Sequence, residues 1–405
     1  MTTLGMGVVG AGRFAHFVAD ATADLPGVEV RAVADPVVER AQELAHRHGA
    51  RPVPDWRDLL DAPDVEVVVV ATPPATHARI VTAALEAGRH VFCEKPLATE
   101  EAEAHELVDL VERSGRVLVV DHVLRYNPIL RALRTLQPLL LGQVQSFSFD
   151  NDASDEDLDP GHWFWDTTAS GGIFVEHGVH FFDAAAMLIG QPATAVQATA
   201  ARRSDGGPVD LVSATVRHGE RVLATHTHSF THAHRCERQH LRLDHGAAEV
   251  RVDGWIPIDA AIDAWTDEDG ARFVEHLPSR VAEVMQVDGY RLDTQARITA
   301  RVHRDAAGSP YARGRGLPLD IPHHVRVQLT LGGPSAKAKV YAESVRAAMA
   351  DLVSAVTTGT TPYSSVREGA AAVAVAAAAT QASHDGRSVA IPDHLRSTST
   401  PMRTA

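Results

Sequence analysis

The run Val65–Ala71, VEVVVVA, constrains this chain more than any other segment. Its β-branched side chains are stiff at χ1 and suit an extended backbone. The unbroken valines leave no polar face for water, so the strand must be covered on both sides, as in a parallel sheet with helices on each face. The flanking sequence supplies the rest of such a sheet. Leu4–Val9, Val28–Ala34, His90–Cys93 and Val117–Asp121 read as further strands. Between them Phe14–Leu25, Val37–His48, Thr76–Ala87 and Glu100–Arg113 read as helices, and Pro26-Gly27, Gly49 and Gly88 close the first three. Strands alternating with helices imply right-handed crossovers and a doubly wound α/β unit over residues 1–121.

Beyond Asp121 the rhythm changes. Gln143–Phe149, Ala193–Ala200, Leu211–Arg217, Arg221–Phe230, Gln239–Asp244 and Ala247–Val252 read as strands joined by short turns. One helix, Phe174–Leu188, interrupts them and stops at Gly190. The pattern predicts a second, α+β unit over residues 122–396, built on a large and mostly antiparallel sheet. Within it, Pro278–Pro334 shows no consistent period, and Gly308–Pro318 reads as a surface loop. Two helices, Ala338–Thr357 and Ser365–Ser383, are expected to pack on this sheet or on the first unit. The small, polar residues 397–405 read as a flexible tail.

Composition excludes several functions. There are 38 Lys and Arg against 52 Asp and Glu, a formal charge of −14 with no basic stripe, which argues against a nucleic-acid partner. No apolar run reaches the roughly 18 residues of a membrane span, and Ala370–Ala379 comes nearest, so no membrane partner is expected. The opening residues run straight into a strand pattern without a secretory signal. With only Cys93 and Cys236 there is no disulfide framework, and a cytoplasmic location is expected. Histidines crowd the stretch 218–245. His226 with His228, and His232 with His234, alternate onto one strand face. Imidazoles so placed can share a cation. No zinc-type spacing accompanies them, and they read as a polar face lining a cleft, with no metal.

Gly10-Ala11-Gly12-Arg13-Phe14-Ala15 falls between the first strand and the first helix. This is the G-x-G-x-x-A turn. The first glycine allows a tight bend, the second lets a pyrophosphate approach the backbone, and the small third residue keeps helix and strand close. The helix N-terminus then offers its free N–H groups to the phosphates. Asp35 ends the second strand, where a carboxylate accepts bonds from ribose hydroxyls and repels a 2′-phosphate, which favours NAD(H) over NADP(H). Asp35 beside Pro36 is also a natural turn former. Two more segments lie at carboxyl ends of strands, Thr72-Pro73-Pro74-Ala75-Thr76-His77 and Cys93-Glu94-Lys95-Pro96. The candidate cofactor-binding residues are therefore Gly10, Gly12, Arg13, Phe14, Asp35, Thr72, Pro73, His77, Glu94 and Lys95.

These motifs, with RYNP at Arg125–Pro128 and SGGIFVEHGVHFFD at Ser170–Asp183, resemble the glucose–fructose oxidoreductase/inositol dehydrogenase/rhizopine-catabolism (Gfo/Idh/MocA) family over nearly the whole chain. The resemblance implies a Rossmann domain and an α/β domain whose sheet covers the nicotinamide and often mediates oligomers, here a homodimer or homotetramer. It implies reversible oxidation of a secondary alcohol on a sugar, cyclitol or related polyhydroxylated small molecule. Lys95 is then the lysine of the Glu-Lys-Pro motif and His180 the acid/base histidine. Glu176 stands where the family commonly has aspartate.

Chemistry agrees with that assignment. Glu176, His180 and Asp183 fall at i, i+4 and i+7, a single helical stripe. Histidine suits uptake of a hydroxyl proton near neutrality, a carboxylate one turn away can orient it, and Lys95 can stabilise an alkoxide-like oxygen. Glu176 is one methylene longer than aspartate and shifts its carboxylate against the substrate. Arg125, Tyr126, Asn127, Trp163, Trp165 and His177 are candidate substrate contacts, since aromatic faces pack on sugar C–H groups. Two other functions share these motifs. One is a glycosidase or lyase that oxidises its substrate transiently, and the other is a non-catalytic dinucleotide-sensing regulator. Lys95 and His180 together argue against the regulator.

Overall fold

A computed structural model describes residues 3–304 and 312–397. The first sheet contains β1 (Leu4–Val9), β2 (Val28–Ala34), β3 (Arg51–Val53), β4 (Val67–Val70), β5 (His90–Cys93) and β6 (Leu118–Val120). They are parallel, in the order β3-β2-β1-β4-β5-β6. The valines of β4 are enclosed on both faces, as their sequence requires. Strand order reverses between β1 and β4, and the loops leaving the carboxyl ends of these strands border a crevice. The sheet has one strand more than its sequence pattern shows. β3 is short, contains Pro52 and lies at the edge, where little hydrophobic patterning is needed.

The second sheet is built from β7 (Ser146–Ser154), β8 (Ala193–Arg202), β9 (Val209–His218), β10 (Val222–His232), β11 (Arg238–Asp244), β12 (Ala248–Asp253) and β13 (Asp259–Thr266). It is completed by β14 (Arg297–His303), β17 (His323–Thr330) and β18 (Val389–Ala390), while β15 (Ala312–Gly314) and β16 (Leu317–Leu319) form a separate hairpin. The ten-stranded order is β14-β17-β13-β12-β11-β7-β10-β9-β8-β18. Its pairs are antiparallel except β7 with β10. β13 escapes sequence reading because alanines fill half of its buried register, and alanine is a weak hydrophobic signal. β14 and β17 fall in the stretch that reads as irregular. The expected loop Gly308–Pro318 is, from Ala312 on, the β15–β16 hairpin, and its first residues lie outside those described. The tail from Thr398 also lies outside them.

The central helix differs from expectation at its start. Phe174–Gly178 is a π-turn and the α-helix proper is Val179–Ile189. Thr167–Ile189, rather than Ala370–Ala379, is the stretch long and apolar enough to cross a membrane, but 78% of its apolar window is buried inside the protein. It is a core element, with Phe181 stacked 3.6 Å from Phe149 of β7.

Two long helices end the chain, Lys337–Thr358 and Val366–Asp385. The second starts with a capping box in which Ser365 and Glu368 satisfy each other's end of the first turn. Its Val366, Ala370 and Val373 join the core that covers Val68 and Val120 of the first sheet. Gly369 allows the close approach, since a Cβ there would lie 2.6 Å from Val120 Cγ2. Ser364 ties the junction: its carbonyl accepts from Val120 N at 3.0 Å and its hydroxyl donates to Val120 O at 2.7 Å.

Candidate active site

The turn after β1 has the geometry its glycines predict. Gly10 has φ +91°, and a Cβ there would lie 2.4 Å from Ala71 O. Ala15 is fully buried where helix meets strand. Gly12, the residue before the helix Arg13–Thr22, has nothing within 4 Å of an added Cβ. The space beside it, at a helix start with no acidic residue in its first turn, fits a pyrophosphate. Asp35 Oδ2 accepts from Ala11 N and Oδ1 from Val37 N, both at 2.8 Å. Its carboxylate thus ties the glycine turn to the end of β2, fulfilling the turn-forming alternative, and each oxygen retains acceptor capacity.

Phe14, Thr72, Glu94 and Lys95 line a cavity of about 510 Å³ between the two units. The second unit contributes Glu176, His177 and His180, with Asn151, Trp163, Glu237, Gln239 and Trp255, and the helix Lys337–Thr358 adds Tyr341. Gly10, Gly12, Arg13, Asp35 and Pro73 lie outside this cavity. His77 is also excluded from it. The ring is buried and bridges two loops, with Nδ1 2.7 Å from Pro96 O and Nε2 2.8 Å from Thr72 O. Burial holds its pKa below the ordinary value against the pull of both carbonyls. His77 positions the Thr72 and Lys95 loops and does not contact a ligand in this cavity.

Lys95 donates to Glu176 twice, to the carbonyl at 2.9 Å and to the carboxylate at 2.7 Å. The left-handed pair Gly171 and Gly172 feeds the chain into the π-turn that presents both oxygens. Burial opposes the charge on Lys95, but Glu176, Glu94 and Asp121 outweigh it and raise its pKa. Burial also raises the carboxyl of Glu94 well above its usual range and that of Asp121 to about 7. Both carboxyls are buried close to the Lys95 ammonium, which pulls against their rise. His180 is depressed well below its ordinary value, and His177 to about 3, first by burial and then by Lys95. Both imidazoles are neutral at physiological pH.

Several expected contacts lie elsewhere. Asp183 does not join Glu176 and His180 at the cavity. It forms a buried ion pair with Arg125, whose Nε and Nη2 lie 2.7–2.8 Å from the carboxylate. Arg125 also donates to Tyr363 O at 3.2 Å. Tyr126 donates to Asp351 at 2.9 Å, and Asn127 caps the next helix while holding Pro257 O at 2.8 Å. All three are buried and none of them lines the cavity. Trp165 donates to Leu158 O at 3.1 Å and packs against Phe164 and Phe230, so only Trp163 of the pair lines the cavity.

The histidine-rich strand also departs from expectation. His226 and His228 do share a face of β10, but they are enclosed against Phe147, Phe149, Phe181 and Phe182 rather than lining a cleft. His234 has left the strand for a tight turn. Among the described residues no group of three or more His, Cys, Asp or Glu could hold a metal.

Sequence reading missed Asn151, Glu237, Gln239, Trp255 and Tyr341. One signal was present: Phe147, Phe149 and Asn151 share the inward register of β7, and a polar residue following two phenylalanines there marks the end of the core.

The fold and site define a two-unit protein with a dinucleotide-type turn, a buried lysine and two neutral imidazoles at one cleft. Residues 4–122 match the family model described as oxidoreductase family, NAD-binding Rossmann fold, and residues 130–249 match the GFO/IDH/MocA C-terminal domain. The chain belongs to the Gfo/Idh/MocA family. It is 34% identical over 204 residues to levoglucosan dehydrogenase of Pseudarthrobacter phenanthrenivorans, covering 47% of this chain and 52% of that protein. It is 32% identical over 213 residues to the rhizopine catabolism protein MocA of Rhizobium meliloti, covering 52% and 64%. The chain thus spans between about half and two thirds of the length of these relatives. A solved levoglucosan dehydrogenase in complex with NADH and levoglucosan shares the fold, with TM-score 0.74 at 22% identity over 97% of this chain and 100% of that one.

Proposed function

We propose that this protein is an NAD(H)-dependent oxidoreductase that interconverts a secondary alcohol and a ketone on a sugar, cyclitol or related polyol. The observation that carries the reading is the convergence of Lys95, Glu176 and His180 on one cavity beside the Gly10–Ala15 turn. NAD, when bound, supplies the hydride acceptor. Gly10, Gly12 and Arg13 would hold it at the turn and Asp35 at the ribose, with Phe14, Thr72, Pro73 and Glu94 beside it. The Asp35 carboxylate disfavours a 2′-phosphate.

The chain's own groups handle the proton and the charge. Lys95 has three N–H donors and gives two to Glu176, so the third is free for a substrate oxygen. A charge-assisted bond there stabilises that oxygen as it loses its proton. His180 lines the same cavity as Lys95 and Glu176. A neutral imidazole can take the hydroxyl proton in oxidation and return it in reduction. Trp163 and Trp255 offer apolar faces to the C–H side of a polyol.

The test offers a panel of sugars and cyclitols with NAD and follows NADH. Turnover of at least one, abolished by Lys95→Met, supports the reading. Absence of NADH across the panel, or turnover that survives the substitution, sinks it.

The same reading extends to assembly and location. The open face of the ten-stranded sheet carries a groove of about 450 Å³ lined by Glu249, Arg251, Asp263, Arg301 and Arg326. A homodimer or homotetramer formed over this face is expected, and a monomer in sedimentation refutes it. Free cysteines, Cys93 buried and Cys236 exposed, suit the reducing cytoplasm.

A further inference from the structure

Behind the cavity wall, His177 meets a second imidazole. Its Nδ1 lies 3.1 Å from Nδ1 of His228, which is fully enclosed on β10. Two neutral rings in that contact carry one proton between the facing nitrogens, so one ring donates and the other accepts. Which one donates follows from the far side of His228. Its Nε2 is buried without a partner, among Phe149, Phe181 and Phe182. A proton on that nitrogen would strand an N–H group, and orphaned buried donors are the rarer defect. The His228 proton therefore sits on Nδ1 and is donated to His177. His177 must then keep its own proton on Nε2. That nitrogen bonds nothing within the protein, is not enclosed, and belongs to a ring that lines the cavity.

We infer that His177 is a fixed hydrogen-bond donor to an oxygen of the bound polyol, and that His228, out of reach of any ligand, is the positioning residue that fixes it. This rests on the polyol reading of the cavity. The ring packing leaves little freedom to do otherwise, since His177 sits 5.2 Å from both Phe181 and Phe230. A donor locked on Nε2 matches the lone pair of a hydroxyl, ether or carbonyl oxygen and cannot take a proton at that atom. Two neighbouring imidazoles thereby divide the work. His180 exchanges the proton, and His177 reports that an acceptor oxygen is in place.

Two measurements test this. In ¹⁵N-histidine-labelled protein without substrate, the His177 signals, assigned by comparison with His177→Gln, should show a protonated Nε2 and a bare Nδ1. The reverse overturns the inference. His228→Phe keeps an aromatic ring but deletes the donor, and should raise KM for the polyol about tenfold, the worth of one hydrogen bond, with kcat and NAD affinity little changed. His228→Gln can still donate and should recover most of that loss. Unchanged KM in His228→Phe, or equal impairment in both folded variants, overturns the positioning role. The tautomer is read without ligand, so the Nε2–H form in a protein that turns over no polyol supports the tautomer and sinks the functional reading alone.

Discussion

Lys95 and Glu176 are joined across the two units, ammonium to carboxylate at 2.7 Å, with only 13% and 15% of their side chains exposed. The contact fixes the ammonium of Lys95 and ties the two units together at the cavity. Because Glu176 is engaged by both its backbone carbonyl and its carboxylate, its position is set by the π-turn as much as by its own side chain.

Lys95→Met should lower kcat by about 10²–10⁴, the range of a positioned proton or charge-stabilising group. NAD affinity should move by no more than a few-fold, as measured by titration of protein fluorescence. A loss confined to NAD binding would place Lys95 in cofactor retention alone.

The two glycines of the first turn should separate in their effects. Gly12→Val meets open space, so its unfolding free energy should stay within about 0.5 kcal/mol of the parent, while NAD dissociation worsens at least tenfold. Gly10→Ala meets Ala71 O at a left-handed φ and should lose stability outright. Normal NAD binding by Gly12→Val would remove the pyrophosphate from that turn.

Arg125 and Asp183 should behave as fold residues. Breaking the buried pair with Arg125→Met is expected to cost about 3–5 kcal/mol in denaturant unfolding, because it strands a carboxylate. Replacing both, as Arg125→Met with Asp183→Leu, should recover most of that loss. The folded double variant should keep its KM. A raised KM with normal stability would restore Arg125 to the substrate site.

Stability should fall as pH drops below about 6.5. His177, His180, His218, His226 and His228 are all depressed by burial, to about 3 for His177 and about 4 for His218. The native state keeps them neutral while the unfolded chain takes up protons from pH 6.5 downward, so stability present above that value is lost towards pH 4. Asp121, raised to about 7, acts in the opposite sense, its contribution being complete below pH 3.8 and lost as pH rises through 7. The histidines outnumber it. His226→Phe, outside the cavity, should flatten the acid slope by on the order of 1 kcal/mol between pH 6.5 and 5. An unchanged slope in urea unfolding would show that His226 is already protonated in the native state.

Sequence patterns revealed the parts whose chemistry is local. The β4 valines, the glycine turn and the Lys95 loop each have one physical solution. What escaped depends on contacts between distant residues. The Arg125–Asp183 pair joins positions 58 apart, and a lone arginine after a strand looks the same whether it meets a ligand or a buried aspartate. Asp183 looks like a site residue for the same reason: one turn beyond His180 on the same helix, it meets distant Arg125 instead of the cavity. His228 carried no sign of its link to His177, since β10 alternates the same way whether its inner face meets water or phenylalanine.

The return of the last long helix to the sheet where the chain began has a practical consequence. A fragment ending before Ser364 would leave Leu97 and Val120 without the helix that packs on them, and a fragment limited to residues 1–121 would lack the same lid. Neither half is a separable module, so hybrids made by swapping the first 121 residues with those of a relative must carry the matching final helix to remain intact.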